Sequence, residues 1–490
     1  MKKLIMCFVL CMALCTTAVL AQSVREESIV IPYELIKDRP SDCKTATLFG
    51  EEGTDVYEEF EERIVDAVKN METEVNVLDL DIPLSSIMDV VYLYADVMRN
   101  HPYYGFLVDI SGFEYWPSGT NISYILIKYK DYDEEYVKET QKAIDKATAE
   151  ILHMIDEDMT DFQKVMTVHD YMVLNYEYDA RVLDDPDADV VRDITMMLTK
   201  KGVCMGYSYA FKHVMNELGI ECGYVESDFM NHEWNIVKID GEWYHIDVTQ
   251  DDPLYGGKYD MFAMVQHRKA LLSSEAIDAL GAVGYVLPNG VEANSKKYDD
   301  APWKTNSGAV VTLKGVTYYV DGNNLVDETG KVIYRNLARN YGRWNGIGAQ
   351  NQVLLYTGIA SYYGKLYFNT ENAIYSYDPE TGKSAKILEV PGIFGMYIDG
   401  DTLYYGKAEI NGNRLEKFSK HGEEDISYMR IDEVLVKDVS DILVTFSVAD
   451  MTYKQKVAAN VYTDDEEDGI VKINIKDVIK MAQIIATKKN

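Results

Sequence analysis

The stretch KGVCMGYSYAFKHVMNELGIECGYVESDFMNHEWNIVKIDGEWYHIDVTQDDP, residues 201–253, decides the fold of this chain. From near Val203 the apolar residues Ala210, Phe211, Val214 and Leu218 recur at helical spacing, and Gly219 supplies a stop. Two strand-like runs then flank Asp240-Gly241, a strong signal for a tight hairpin turn. A two-residue turn there pairs Ile239 with Glu242 and, counting back, Trp234 with Asp247. His232 stands two residues from Trp234, so it shares a face with Asp247 as a diagonal neighbour, roughly 7 Å away along the backbone and within side-chain reach.

Those positions carry chemistry. Cys204 starts the helix, where unpaired N–H groups and the helix dipole favour a negative charge and so the nucleophilic thiolate. Gly202 and Gly206 are expected to leave room for a substrate carbonyl. A helix-start cysteine alone reads more readily as a buried structural thiol, and the hairpin tips the balance. A carboxylate at 247 can orient an imidazole at 232, leaving its other nitrogen for the thiol. Cys204, His232 and Asp247 are therefore the expected catalytic set of a nucleophilic acyl-transfer site. His245 is the rival base, on the same face opposite Ile236. His169 and His213 lie on helices and read as structural. Tyr176 and Tyr178 are candidates to lie near an oxyanion hole whose first donor is the Cys204 N–H.

Outward from this stretch the chain divides. Thr160 and Gln163 have capping-box spacing, opening a helix to about Asn175, so the core is expected over 160–275. Residues 22–159 read as an N-terminal α+β domain. It has a helix after Thr54, another from about Leu84 to Met98, a β-rich run at 122–129 and a charged helix from about Asp133 to Ile155. Over 300–430 short strands alternate with Gly-rich turns. GVTYYVDGNNLVDETGKVIYR, GKLYFNTENAIYSYDPETGK and GDTLYYGKAEINGNRLEKF resemble one another, which suits a propeller-like β segment. Residues 436–490 hold a second duplication. DILVTFSVADMTYKQKVAAN from Asp441 aligns without gaps with DGIVKINIKDVIKMAQIIAT from Asp468.

Composition narrows the partners. The chain has 490 residues, a formal net charge of −33 and 38 tyrosines. That charge repels nucleic-acid phosphates and anionic lipid, so neither nucleic acid nor membrane is an expected partner. Lys2 and Lys3 followed by an apolar run to Leu20 read as a signal peptide over 1–21, which implies a secreted or cell-surface protein. Cys43, Cys204 and Cys222 remain after it, an odd number for an oxidising compartment.

The combined motifs resemble the transglutaminase-like superfamily. They run Gly202-Val203-Cys204, then His232-Glu233-Trp234-Asn235, then Gly241 to Thr249 and Asp251-Asp252-Pro253, with His169-Asp170-Tyr171 and Tyr176 to Asp179 upstream. The resemblance implies Cys204 as nucleophile, His232 as base and Asp247 as its orienter, with no catalytic cofactor. It implies a papain-like core in a multidomain α+β chain. The expected activity is cysteine acyl transfer on extracellular protein or peptide amides through a thioester, ending in hydrolysis or amine transfer. The alternative is an inactive transglutaminase-like binding protein of a scaffold or cell-surface complex. The C-terminal pair resembles a dockerin, a small helical module. That resemblance implies a cohesin-like scaffold as partner and Ca2+ ligands at Asp438, Asp441, Asp465 and Asp468, although each loop is longer than the family's and only the second has its Gly.

Overall fold

The structure is a computed structural model. It describes residues 28–32, 55–109, 112–252, 254–255, 259–260, 263–288, 290–337, 356–389, 391–399, 402–407, 410–411, 414–415 and 426–430. The signal segment, Cys43 and the dockerin-like repeat with Asp438, Asp441, Asp465 and Asp468 lie outside the described residues. The chain forms two compact units, 1–133 and 134–490.

The first unit is an antiparallel sheet with helices. Its elements are β1 (Ile29–Pro32), α1 (Asp55–Lys69), β2 (Glu74–Asn76), α2 (Ile87–Asn100), β3 (Gly112–Ser118) and β4 (Asn121–Leu126). The sheet order is β1-β3-β4-β2. Phe60, Ile64, Ala67 and Val68 form the buried stripe of α1, as their spacing predicts.

The second unit starts with α3 (Glu134–Leu152) and α4 (Asp161–Asn175). The predicted capping box is present: the Thr160 side chain accepts from the Gln163 amide, and the Gln163 side chain accepts from the Thr160 amide at 2.9 Å. Strand β5 (Glu177–Tyr178), the turns α5 (Arg181–Asp184) and α6 (Met196–Thr199), and strand β6 (Lys201–Gly202) lead into α7 (Cys204–Glu217). β5 and β6 run parallel, with Tyr178 beside Gly202. A three-stranded antiparallel sheet follows: β7 (Cys222–Ser227), β8 (His232–Ile239) and β9 (Glu242–Ile246). Asp240 and Gly241 both have positive φ, 54° and 85°, the mirror-image turn that matches strand twist. Ile236 pairs with His245 and Ile239 with Glu242, the register the turn dictates. After α8 (Val248–Asp251), the pair β10 (Leu254–Tyr255) and β11 (Tyr259–Asp260), and α9 (Ser274–Ala279), the chain returns to this sheet. Ser295 meets the Tyr244 hydroxyl at 2.7 Å, and the Tyr298 ring stacks on Phe162.

The rest of the second unit is β-rich. Strands β12 (Val311–Leu313), β13 (Val316–Asp321), β14 (Asn324–Asp327) and β15 (Val332–Arg335) form one four-stranded antiparallel sheet. Strands β16 (Ile359–Tyr362), β17 (Lys365–Asn369), β18 (Ala373–Asp378) and β19 (Lys383–Glu389) form the next. Tyr334 packs its ring 4.9 Å from Phe368 and 5.0 Å from Tyr375, so aromatic side chains join the two sheets. A third sheet holds β20 (Ile393–Asp399) and β21 (Thr402–Lys407). After β21 the described residues add two further pairings. Among the described residues β22 (Ile410–Asn411) and β23 (Arg414–Leu415) pair with each other, and β24 (Ile426–Arg430) lies beside β21. Among the described residues no sheet closes into a barrel, and no helix is long and apolar enough to cross a membrane.

Candidate active site

Each expected catalytic residue arrives on a different element. Cys204 is the first residue of α7, and Val203 before it is extended, with no side-chain oxygen to cap the first turn. The helix is held by buried Tyr207, Ala210, Phe211, Val214 and Met215. His232 opens β8. Asp247 follows β9 directly and caps α8, its Oδ1 accepting from the Gln250 amide at 3.0 Å. Its Oδ2 lies 2.8 Å from His232 Nε2. The diagonal register is thus realised. The cap was not anticipated, although Asp247 and Gln250 have capping-box spacing.

With Nε2 at Asp247, the remaining ring nitrogen of His232 is the one available to Cys204, whose sulfur acts on the charge of the ring. Burial opposes charge on this ring, but the Asp247 carboxylate and the Cys204 sulfur outweigh it and raise the His232 pKa to about 10. The ring is an imidazolium at neutral pH. It stacks on Trp234, with centroids 5.6 Å apart.

His245 sits elsewhere in this arrangement. Its Nδ1 accepts from the Trp234 indole N–H at 3.0 Å, and its Nε2 faces Ser274 Oγ at 3.2 Å. Burial lowers its pKa to about 4, so it is neutral. With both nitrogens engaged and no exposure, it buttresses the indole on which His232 rests.

The two glycines do not do what their position suggests. A Cβ at Gly202 would lie 2.8 Å from Met196 Sδ and 2.9 Å from the Val191 carbonyl; at Gly206 it would lie 2.8 Å from Met196 Sδ. They make room for Met196 under the helix, not for a substrate carbonyl. Tyr176 is buried between Tyr171 and Tyr207. Tyr178 is half-buried and close enough to Cys204 to be influenced by its charge; burial first, then that charge, raises its pKa to about 12. Of the described cysteines, Cys204 is partly exposed and Cys222 buried, and burial raises the Cys222 thiol to about 12.

A second cluster was not legible beforehand. His169 Nδ1 lies 2.8 Å from Asp170 Oδ1, and His267 Nε2 lies 2.7 Å from the same oxygen. His169 Nε2 faces Asp251 Oδ2 at 3.2 Å, and Asp170 Oδ2 accepts from the Val310 amide at 2.6 Å. All four side chains are buried. Burial resists charging His169, but Asp170 and Asp251 prevail and raise its pKa to about 9. The ligand-type atoms of His169, Asp170 and His267 lie within 4.8 Å of one another. However, the Asp170 contacts are at hydrogen-bond spacing, shorter than the roughly 3.3 Å between ligands that tetrahedral bonds of about 2.0 Å impose. The cluster is charge compensation shared through protons. His213 is likewise internal, with Nε2 at 2.9 Å from Thr148 Oγ1.

Residues 148–248 match the Transglutaminase-like superfamily. The chain is 22% identical to the kyphoscoliosis peptidase of Mus musculus over 138 residues, 25% of this chain and 21% of that protein. It is 24% identical to the kyphoscoliosis peptidase of Homo sapiens over 110 residues, 20% of this chain and 17% of that one. The matched stretch thus spans about a fifth of these curated relatives. A solved TGase structure aligns with 27% of this chain and 43% of its own, at 17% identity and a TM-score of 0.21.

Proposed function

We propose that Cys204, His232 and Asp247 form a cysteine acyl-transfer site acting on protein or peptide amides through a thioester. The observation that carries this is the placement of His232 between the Asp247 carboxylate and the Cys204 thiol. The Cys204 thiolate adds to the amide carbonyl carbon. The backbone N–H at the start of α7, with the Tyr178 hydroxyl, meets the developing oxyanion. Collapse breaks the C–N bond, and the amine leaves with the proton from the His232 imidazolium. Water or a second amine then adds to the thioester, giving its proton to His232 as the thiolate departs. Asp247 keeps the ring oriented and its charge compensated throughout.

The acceptor decides between hydrolysis and amine transfer, and the peptidase name of the curated relatives supports hydrolysis as one outcome. Secretion, a propeller-like arrangement of the three β sheets and calcium-dependent docking of residues 436–490 to a cohesin-like scaffold belong to the same proposal. They would place the reaction on extracellular protein. The test is to assay amine incorporation and peptide release side by side on a denatured protein substrate. Both activities surviving in Cys204→Ala would overturn the assignment.

A further inference from the structure

Four large hydrophobic side chains are exposed among the described residues of the second unit: Tyr136, Leu183, Phe229 and Val283. Phe229 is 82% exposed, and it sits three residues before His232. Val283 belongs to the segment whose backbone bonds to the same loop. An isolated apolar side chain on a loose surface is ordinary, but two exposed on hydrogen-bonded segments that meet at the loop before His232 are not.

The loop that presents Phe229 is built, not loose. Ser227 pairs with His232, so Asp228–Asn231 is a closed loop between β7 and β8, with Asn231 at a positive φ of 48°. Ser227 Oγ accepts from the Met230 amide at 3.2 Å and donates to the Val283 carbonyl at 2.7 Å. The Val283 amide faces Met230 Sδ at 3.4 Å, and the Val286 amide donates to the Glu226 carbonyl at 2.9 Å. A Cβ at Gly284 would approach the Phe229 Cβ to 3.0 Å. Within this loop Met230 packs inward onto the cluster around Trp234 and Ile277, while Phe229 points to solvent. The chain thus fixes the loop that carries an exposed aromatic side chain three residues before His232.

The chemistry says which part of a substrate passes there. When the C–N bond of the tetrahedral intermediate breaks, the proton comes from His232, so the leaving nitrogen must be on the His232 side of the cleft. By microscopic reversibility an acceptor amine enters on the same side and attacks the thioester from there. We propose that Phe229, with Val283, is the specificity contact for an aromatic or large aliphatic group on the amine side of the reacting amide. In a peptide that group is the side chain of the residue following the cleaved bond. This inference rests on the thioester reading above.

The experiment separates the two. p-Nitrophenyl acetate acylates a reactive thiol without using an amine site, and the nitrophenol burst of the wild-type protein reports the acyl-enzyme. Its partition to phenethylamine and to ethanolamine is then measured, each normalised to the uncatalysed aminolysis of a simple thioester. The wild type is expected to favour phenethylamine by about tenfold, the worth of a partly buried ring. Phe229→Ser is expected to bring the ratio to within about twofold of unity, and Phe229→Leu to keep most of it. A burst with no preference in the wild type, or a preference that survives Phe229→Ser, overturns the specificity contact alone. No burst at all overturns the acyl-enzyme and this contact with it.

Discussion

Helix α8 is one turn long, and a carboxylate–histidine pair hangs from each end. At its start Asp247 meets His232 at 2.8 Å; at its end Asp251 meets His169 at 3.2 Å. Both histidines are held protonated well above the ordinary imidazole range, at about 10 and about 9. The difference lies in the second ring nitrogen. That of His232 reaches a partly exposed thiol, and its side chain is itself 12% exposed. That of His169 reaches Asp170, which also holds His267 and the amide of Val310. The same residue types thus make the proposed reactive site where access remains and a structural clamp where the backbone of Val310 seals them in.

The sharpest way to break this contrast is at the thiol. Cys204→Ala is expected to lower acyl-transfer activity by about 10⁴-fold or more while the protein still melts cooperatively. Iodoacetamide labelling mapped to individual residues should find Cys204 modified and Cys222 spared in the wild type. Labelling of Cys222 at a comparable rate would mean that burial does not separate the two thiols.

The clamp should fail as structure. Asp170→Asn removes the charge that compensates His169 and weakens the acceptor for three donors, at an expected cost of about 3–5 kcal/mol in denaturant unfolding. Asp247→Asn should do the reverse, slowing the reaction by about 10²–10⁴-fold with a smaller loss of stability. If Asp170→Asn instead proves nearly neutral in stability, the two ends of α8 are not as different as their burial indicates.

The held protons give a pH test. Both histidines have folded pKa values above the unfolded value of about 6.5. The stability they contribute is therefore fully present below that value and lost as pH rises through about 9 and about 10. Between pH 7 and 10.5 the wild type should lose stability on this account. His232→Asn should lose less, because only the His169 step remains. Identical alkaline profiles for the two proteins would remove the claim that His232 holds a proton at neutral pH.

What the sequence made visible follows from distance along the chain. Asp240-Gly241 sets the register by local turn geometry, so the approach of His232 to Asp247 could be counted off. The capping box at Thr160 and the stripe of α7 are local in the same sense. The clamp has no local signature. His169 and Asp251 are 82 residues apart, Asp170 and His267 97, and Asp170 and Val310 140. No periodicity encodes such meetings; they depend on how α4, α8 and the segment before β12 pack. Nor does pattern alone say which strand-like run pairs with β21, a place taken by β24.

The smallest effect concerns the glycines beside the nucleophile, where pattern and packing gave opposite answers. A Cβ on Gly206 would meet Met196 Sδ at 2.8 Å and Met196 Cβ at 3.1 Å, with the Asp193 carbonyl at 3.5 Å. The sulfur can swing aside, but the Met196 Cβ is tied to its backbone and must shift with α6. Against this, alanine gains about 1 kcal/mol over glycine within a helix, and overpacking of this kind costs about 1–3 kcal/mol. Gly206→Ala is therefore expected to destabilise by about 1 kcal/mol, read as a lowered denaturation midpoint at unchanged slope. Because the glycine faces Met196, the KM of the folded enzyme should stay within about twofold of wild type. A Gly206→Ala protein of normal stability with a sharply raised KM would show that the glycine borders the substrate after all.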